Sequence, residues 1–159
     1  MRLKGKAGIV VGAGQAPMDF TTIGQLAQER FGWKLFTVMR YLPASEEVER
    51  VHTSDAAAYP LSGRKLKRDT EWSRKVLLRG EPHFAADAHA IRAAFDDAER
   101  MLALGVGALI NVPVRAMAGD RVIGTLNFGA DHRGYAPEDV ERALALVPLA
   151  GPLLETSRA

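Results

Sequence analysis

The sequence predicts one α+β domain built on a mainly antiparallel sheet. Two segments rich in β-branched residues, 107–114 and 121–128, are joined by a connection too short for a parallel crossover. Apolar residues recur at helical spacing in the segments that flank and separate the extended runs. The chain has 159 residues, of which 47% are hydrophobic and 25% charged, and this size and composition suit a single globular domain.

The N-terminal half is predicted to contain a helix followed by a strand pair. Apolar residues at helical spacing predict a helix over residues 19–31, ended by Gly32. Residues 34–41 and 47–53 have the composition of strands, and the short turn between them makes them an antiparallel pair. Residues 57–68 have no clear period and predict a loop.

The middle of the chain predicts short elements. Asp69 or Thr70 is suited to cap a helix that ends at Gly80. A short strand is expected over residues 82–86. Residues 87–104 have a helical period and predict one helix or two.

The C-terminal part predicts a hairpin and a final helix. The strands 107–114 and 121–128 form the hairpin. Pro137 stands at a favoured early helix position, and the helix is expected to be kinked or interrupted around Pro148 and Pro152.

Composition excludes several classes of function. The chain has no cysteine, which excludes disulfides, thiolate zinc sites and thiol nucleophiles. A net charge of +2 is too small to indicate a nucleic-acid or membrane partner. The longest uncharged apolar run, residues 143–154, is too short to span a bilayer and contains two prolines. We therefore expect a cytoplasmic protein without nucleic-acid or membrane partners.

The sequence offers no catalytic or metal-binding constellation. The four histidines show no i, i+4 pairing and have no cysteine neighbours, so no metal site is expected. Asp96 and Asp97 are interpreted as part of a solvated helix face rather than an acid/base pair. We expect neither an enzyme nor a resident cofactor.

The first residues suggest an alternative. The run GKAGIVVGAGQ resembles the start of a short-chain dehydrogenase, in which Gly12 and Gly14 would let a diphosphate approach the backbone and Arg40 would contact an NADP 2′-phosphate. Pro17 stands where the third glycine of that motif belongs, and no Tyr-x-x-x-Lys pair occurs. An NADP-binding oxidoreductase-like fragment is therefore the alternative function.

Most of the chain resembles a GAF domain, a small-molecule-binding sensory module. The resemblance rests on ERFGWKLFTVMRY, EWSRKVLLRGEPHF and ALINVPVRAMAGDRVIGTLNFGADHRGYAPEDVERALALVPLAGPLL, in this order. It implies a six-stranded antiparallel sheet with the terminal helices on one face and a ligand pocket on the other, roofed by the middle helices and loops. Residues 18–159 then form the GAF-like domain and residues 1–17 an N-terminal arm or extra strand. Without cysteine, thioether attachment of a bilin and the cysteine-dependent methionine sulfoxide reductase activity of the family are excluded.

Strand alternation and the resemblance together indicate candidate ligand-binding residues. An even hairpin register places Asn111, Thr125 and Asn127 on one face, and Tyr41 shares a strand face with Thr37. Residues 64–79 carry a net charge of about +5, and the resemblance puts this segment at the pocket entrance. There an anion would meet Arg68, Thr70 and the following helix N-terminus. The candidates are Tyr41, Arg68, Asp69, Thr70, Trp72, Phe84, Phe95, Asn111, Thr125 and Asn127.

Ordinary structural roles stay open for the same residues. Each asparagine would equally form hydrogen bonds with nearby backbone groups. The basic segment would be a solvent-exposed surface, and the aromatic residues would pack in the hydrophobic core. The expected function is a free-standing sensory domain that reversibly binds a small polar or anionic ligand and forms a homodimer through its terminal helices, around residues 23–31 and 140–154. A ligand-free dimerisation or interaction module is a further alternative.

Overall fold

The computed structural model describes residues 17–156, which form one antiparallel sheet with helices on both faces. The strands are β1 (Leu35–Leu42), β2 (Glu47–Thr53), β3 (Lys65–Leu66), β4 (His83–Ala85), β5 (Ala108–Arg115) and β6 (Val122–Ala130). The helices are α1 (Phe20–Arg30), α2 (Glu71–Ser73) with a π-helical turn (Arg74–Leu78), α3 (Ala88–Ala94), α4 (Ala98–Ala103), α5 (Pro137–Leu144) and α6 (Val147–Thr156). The six strands lie in the order β3-β2-β1-β6-β5-β4.

The terminal helices α1, α5 and α6 cover one face of the sheet. Alternation along β1 and β6 places Phe36 and Phe128 on this face, where their rings stack with centroids 4.9 Å apart. Ile23 of α1 and Leu154 of α6 are completely or almost completely buried in the same apolar cluster. Asp19 caps α1 by accepting a hydrogen bond from the Thr22 backbone N–H at 2.8 Å.

The opposite face carries a roof made of α2, the π-helical turn, α3, α4 and the loop before β3. Thr70 and Ser73 form a capping box that fixes the start of α2. Gly80 adopts a φ of +69°, the left-handed conformation that ends the π-helical turn and redirects the chain into β4. The central strands are buried on both faces because helices cover one and the roof covers the other.

The architecture confirms the predicted fold class, with three refinements of the elements. The segment predicted as a loop contains β3, whose two residues pair with Glu47 and Val48 of β2. The predicted helical region 87–104 is two helices, separated at Phe95–Asp97. The final helix is likewise two, with α6 starting at Val147.

The glycine-rich start of the chain, for which an arm or extra strand is predicted, lies outside the described residues. Both edges of β1 are occupied within the described part, by β2 on one side and β6 on the other. Between residues 17 and 156, no helix has the length and apolar character needed to cross a membrane.

Candidate functional site

A cavity of about 490 Å³ lies between the sheet and the roof. This volume falls within the range of small-molecule sites, roughly 300–1,000 Å³. Its floor comes from β1, β2, β5 and β6, and its roof from α2, the π-helical turn and the α3–α4 region. Alternation along β1 places Leu35, Thr37 and Met39 on the floor, opposite in direction to Phe36 and Val38 in the helix-face core.

The floor carries a chain of side-chain hydrogen bonds. Trp72 Nε1 donates to Asn111 Oδ1 at 3.0 Å, and Asn111 Nδ2 donates to Asn127 Oδ1 at 2.8 Å. Asn127 Nδ2 continues the chain to Thr37, whose backbone oxygen and Oγ1 both lie 3.3 Å away. The register that pairs Asn111 with Asn127 across β5 and β6 makes this contact possible. Because each amide is bonded on both ends, the orientation of both amides is fixed.

The walls of the cavity are largely apolar. Trp72 and Phe95 contact each other from different roof elements, with ring centroids 6.0 Å apart. Leu77 and Met101 add apolar surface from the roof, and Leu109 adds it from the sheet. A ligand in this space would therefore bury an apolar or aromatic body against a floor that offers few, fixed hydrogen-bonding groups.

Positive charge dominates the polar part of the lining. Five basic side chains and two carboxylates line the cavity: Arg50, Lys65, Lys67, Arg68 and Arg100, with Asp96 and Asp97. Arg68 forms an ion pair with Asp96, and both side chains are mostly exposed. Lys67 has a buried side chain whose Nζ lies 3.5 Å from Oε1 of the exposed Glu46. The surplus of cations favours an anionic occupant.

Tyr59 is a buried residue of the cavity lining and contacts two arginine side chains. Its ring is 5% exposed, and its hydroxyl donates to Asp97 Oδ2 at 3.4 Å. The guanidinium carbons of Arg50 and Arg100 lie 5.2 and 5.4 Å from the ring centroid. Burial, followed by the Asp97 charge, raises the pKa of Tyr59 to about 12. The phenol therefore stays neutral and acts as a hydrogen-bond donor at neutral pH.

His83 borders the site from the sheet edge without being part of its lining. It pairs with Asn111 in register, and its ring meets Phe95 edge-on at 5.9 Å. Lys75 Nζ lies 3.4 Å from His83 Nδ1, so Nε2 carries the proton when the imidazole is neutral. Burial first, and then the Lys75 charge, lower the pKa of His83.

The structure brings six of the ten sequence candidates together around the cavity: Arg68, Thr70, Trp72, Phe95, Asn111 and Asn127. Thr70 has a different task from the expected one, because its hydroxyl accepts from the Ser73 backbone N–H at 3.1 Å. The helix that it caps has only three residues before the π-helical turn. The helix N-terminus is therefore occupied by its own capping box rather than left open to an anion.

The other four candidates lie outside the cavity lining. Tyr41 packs with Val76 and Leu77 beside the site. Asp69 accepts from Arg74 Nη1 at 2.6 Å on the surface. Phe84 faces the helix-covered core because it pairs with Ile110, and this corrects its expected place in a pocket wall.

Thr125 is the fourth of these candidates. It shares the face of Asn127 along β6, as predicted, but it is completely buried. Its Oγ1 has no hydrogen-bond partner within residues 17–156. Thr125 therefore lies under the roof and cannot touch an occupant of the cavity in this conformation.

Sequence reasoning missed the cluster around Tyr59. Arg50, Tyr59 and Arg100 come from β2, a loop and α4, and nothing in their spacing indicates that they meet. Alternation along β2 was an available signal for Arg50, since it shares a strand face with Val48. Tyr59 is the one aromatic residue of a polar loop, which is a weaker signal.

The family comparison agrees with this geometry. A family model described as GAF domain matches residues 20–151. The chain belongs to the GAF domain family. GAF domains are sensory modules, and the sheet with terminal helices on one face and a roofed cavity on the other is the architecture that the resemblance predicted.

Solved structures with this fold include GAF domains of sensor proteins. The GAF domain of a Bacillus halodurans two-component sensor histidine kinase is 12% identical with a TM-score of 0.64, covering 88% of this chain and 96% of that one. The GAF domain/HD domain protein of Geobacter sulfurreducens is 11% identical with a TM-score of 0.67, covering 86% and 90%.

The photoproduct state of a GAF3 domain from Synechocystis sp. PCC6803 is 16% identical with a TM-score of 0.62 and covers 86% of this chain and 92% of that one. At these identities the likeness concerns the fold alone. No curated protein matches the chain.

Proposed function

We propose that this GAF domain is a sensory domain that reversibly binds a small organic anion in the cavity between sheet and roof. The observation that carries the proposal is the lining: five cations against two carboxylates around apolar walls and an amide floor. An apolar body would be buried on Trp72 and Phe95, and the anionic group would meet the basic side chains. This GAF domain then acts by binding rather than by catalysis.

The hydrogen bonds of the floor support the same proposal and indicate one further property of the ligand, a hydrogen-bond acceptor. Asn111 uses one N–H for Asn127, and its oxygen accepts from Trp72. Its second N–H is available to an acceptor atom of a ligand. A ligand that combines an anionic group, an apolar or aromatic body and a hydrogen-bond acceptor therefore fits the lining best.

The floor strands provide a route from the cavity to the terminal helices. Along β1, Thr37 faces the cavity while its neighbours Phe36 and Val38 pack in the core under the helices. A ligand that shifts the floor would therefore also shift the surface on which α1 and α6 rest. We propose that occupancy is transmitted through these helices, which also form the homodimer interface.

Matched pairs of compounds test the binding proposal. Benzoate with benzamide, and phenyl phosphate with benzyl alcohol, share a ring and differ in charge. We expect the two anions to raise the melting temperature of the full chain and the two neutral compounds to raise it less. At a concentration of 100 times Kd the stabilisation is about 2.7 kcal/mol. Equal shifts within each pair, or no shift with any of the four compounds up to their solubility limit, would sink the proposal.

A further inference from the structure

Arg50 and Arg100 both contact one aromatic ring, that of Tyr59, although one comes from the floor of the cavity and the other from the roof. Arg50 belongs to β2 in the floor, and Arg100 belongs to α4 in the roof. Both guanidinium carbons lie within 5.4 Å of the Tyr59 ring centroid. Both residues also line the cavity, so the pair lies where an occupant would contact it.

Backbone oxygens of the Tyr59 loop hold the two side chains. Arg50 Nη1 donates to Pro60 O at 2.7 Å, and Arg100 Nη1 donates to Ala58 O at 3.5 Å. A guanidinium has five N–H donors, so each arginine keeps further donors beyond these bonds. The loop thus holds Arg50 by a hydrogen bond of ordinary length, whereas its contact with Arg100 is at the upper limit of hydrogen-bond distance.

The pair carries more positive charge than its surroundings neutralise. Within residues 17–156 neither guanidinium has a carboxylate oxygen within 4.0 Å. Asp97 is the nearby acid, and its carboxylate accepts a hydrogen bond from the Tyr59 hydroxyl. Burial first lowers the pKa of Arg50, and the Arg100 charge lowers it further, whereas Tyr59 and Asp97 act in the opposite direction. Arg50 is half-buried and Arg100 is exposed, so the two cations repel each other at the edge of the cavity lining, and an anion beside them would relieve this repulsion.

We propose that Arg50 and Arg100 together bind the carboxylate or phosphate group of the ligand. This inference rests on the proposed function and names its anion-binding residues. Arginine matches both oxyanions through parallel N–H donors. The body of the ligand then extends toward Trp72 and Asn111. Because Arg50 is in the floor and Arg100 in the roof, the bound anion would tie the roof to the sheet.

The other basic residues are less suited to this task. Arg68, the anion contact predicted from the sequence, already pairs with the carboxylate of Asp96. Arg100 is exposed as Arg68 is, so the carboxylate partner is what distinguishes the two. Lys67 is already beside Glu46. Arg68 is therefore the rival anchor that the experiment has to separate from the pair.

Calorimetric titration of phenyl phosphate and of benzoate into the full-length chain tests the pair. We expect Arg50→Gln and Arg100→Gln each to weaken binding by about tenfold or more, the loss typical of a charged hydrogen-bonding partner. Arg92→Gln is the matched control, since it removes the same charge from α3 outside the cavity, where Arg92 pairs with Glu99 at 2.7 Å. Arg92→Gln should bind as the parent does. Arg68→Gln tests the rival, and we expect it to weaken binding less than either variant of the pair.

Lysine variants keep the test valid if a glutamine variant unfolds. Arg50→Lys and Arg100→Lys retain the positive charge and the aliphatic part of the side chain that packs on Tyr59. They lose the paired N–H donors of the guanidinium, so we expect folded proteins with intermediate affinity. The better of the two compounds shows whether the site prefers a planar or a tetrahedral oxyanion. Hydrogen exchange of α4 should slow on binding, because the anion joins the roof to the sheet.

The outcomes separate this inference from the proposed function. If the anions bind and Arg68→Gln alone weakens them, the arginine pair is wrong while the proposed function stands. If neither anion binds, inorganic phosphate is titrated while the side-chain Nε–H resonances of Arg50 and Arg100 are followed. The failure of both anions has then already overturned the proposed function. Shifts confined to these two resonances support the pair as an anion site, and unchanged resonances overturn the pair as well.

Discussion

Trp72 donates its indole N–H to Asn111 Oδ1 across 3.0 Å and so joins the roof of the cavity to its floor. Trp72 is in α2, and Asn111 is buried in β5. The bond continues through Asn127 to Thr37, so four side chains from four elements share one chain of hydrogen bonds. A movement of Trp72 would therefore act on Asn111 in β5 and, through Asn111, on Asn127 in β6.

We expect Trp72→Phe to lower the free energy of unfolding by about 1–3 kcal/mol, because a buried amide oxygen loses its donor. Urea unfolding of Trp72→Phe, Asn111→Ala and the double variant measures the coupling between the two side chains. A coupling near 1 kcal/mol supports the hydrogen bond, and costs that simply add would contradict it.

Gly124 of β6 has no room for a side chain. A Cβ there would lie 2.5 Å from the Met39 backbone oxygen and 2.7 Å from Leu154 Cδ1. We expect Gly124→Ala to lower stability by about 1–3 kcal/mol or more, since both neighbours are packed. Gly63→Ala is the control, because nothing lies within 4 Å of a Cβ at that position. Its stability in urea should match the parent or exceed it slightly, and similar losses in both variants would contradict the packing described.

Stability should fall as the pH is lowered from about 6.5. Burial lowers the pKa of both His83 and His52, the first aided by Lys75 and the second opposed by Asp19. The unfolded chain then binds more protons than the folded one between the lowered pKa values and 6.5, and protonation favours unfolding in this window. Neutral histidine keeps the folded state fully stable above the window.

Urea unfolding between pH 5 and pH 7.5 tests whether the free energy of unfolding falls as the pH is lowered. We expect His83→Gln to reduce the slope of stability against pH without removing it, because His52 acts in the same direction. His89→Gln replaces an exposed histidine of α3 and is the control for the substitution itself. An unchanged slope in His83→Gln would show that this histidine does not titrate differently on folding.

The proposed homodimer is tested by a substitution in α6. Leu149 is partly exposed and packs at the edge of the helix-face core. Light scattering should give the parent chain twice its 17.3 kDa mass. Leu149→Arg should give the single mass, because a charge at the interface core is costly. Leu61→Arg changes a leucine that is 62% exposed in the loop before β3 and should leave the dimer intact. A single mass for the parent chain would end the dimer proposal.

Local patterns predicted the elements that local interactions decide. Helix α1 follows from its apolar spacing and its Asp19 cap, and the β5–β6 hairpin follows from two strand-like runs with a short connection. β3 was missed because a two-residue strand exists only through its partner, β2. The break within residues 87–104 falls where the sequence left one helix or two open, and the break before Val147 lies close to Pro148, where an interruption was expected. The interruption expected around Pro152 is wrong, because helix α6 continues through this proline.

On the sheet side of the cavity, the site was predictable where strand alternation sufficed. Asn111 and Asn127 face the cavity because both obey the period of two and the hairpin register is even. Phe84 lies on the other face because it pairs with Ile110 of β5. Strand β4 has only three residues, too few for their alternation to indicate which of them point to the core. The cluster around Tyr59 depends on the packing of a loop against α4, which no local pattern contains.

The most direct measurement is an NMR titration of the full chain with phenyl phosphate, following the indole N–H signals of the two tryptophans. Trp72 lines the cavity, whereas Trp33 donates to Gly24 O at 2.7 Å on the helix-covered face. Binding in the cavity should shift the Trp72 signal in a saturable way and leave the Trp33 signal in place. A Trp72 signal that stays unchanged while the compound binds elsewhere, or does not bind at all, would contradict the account.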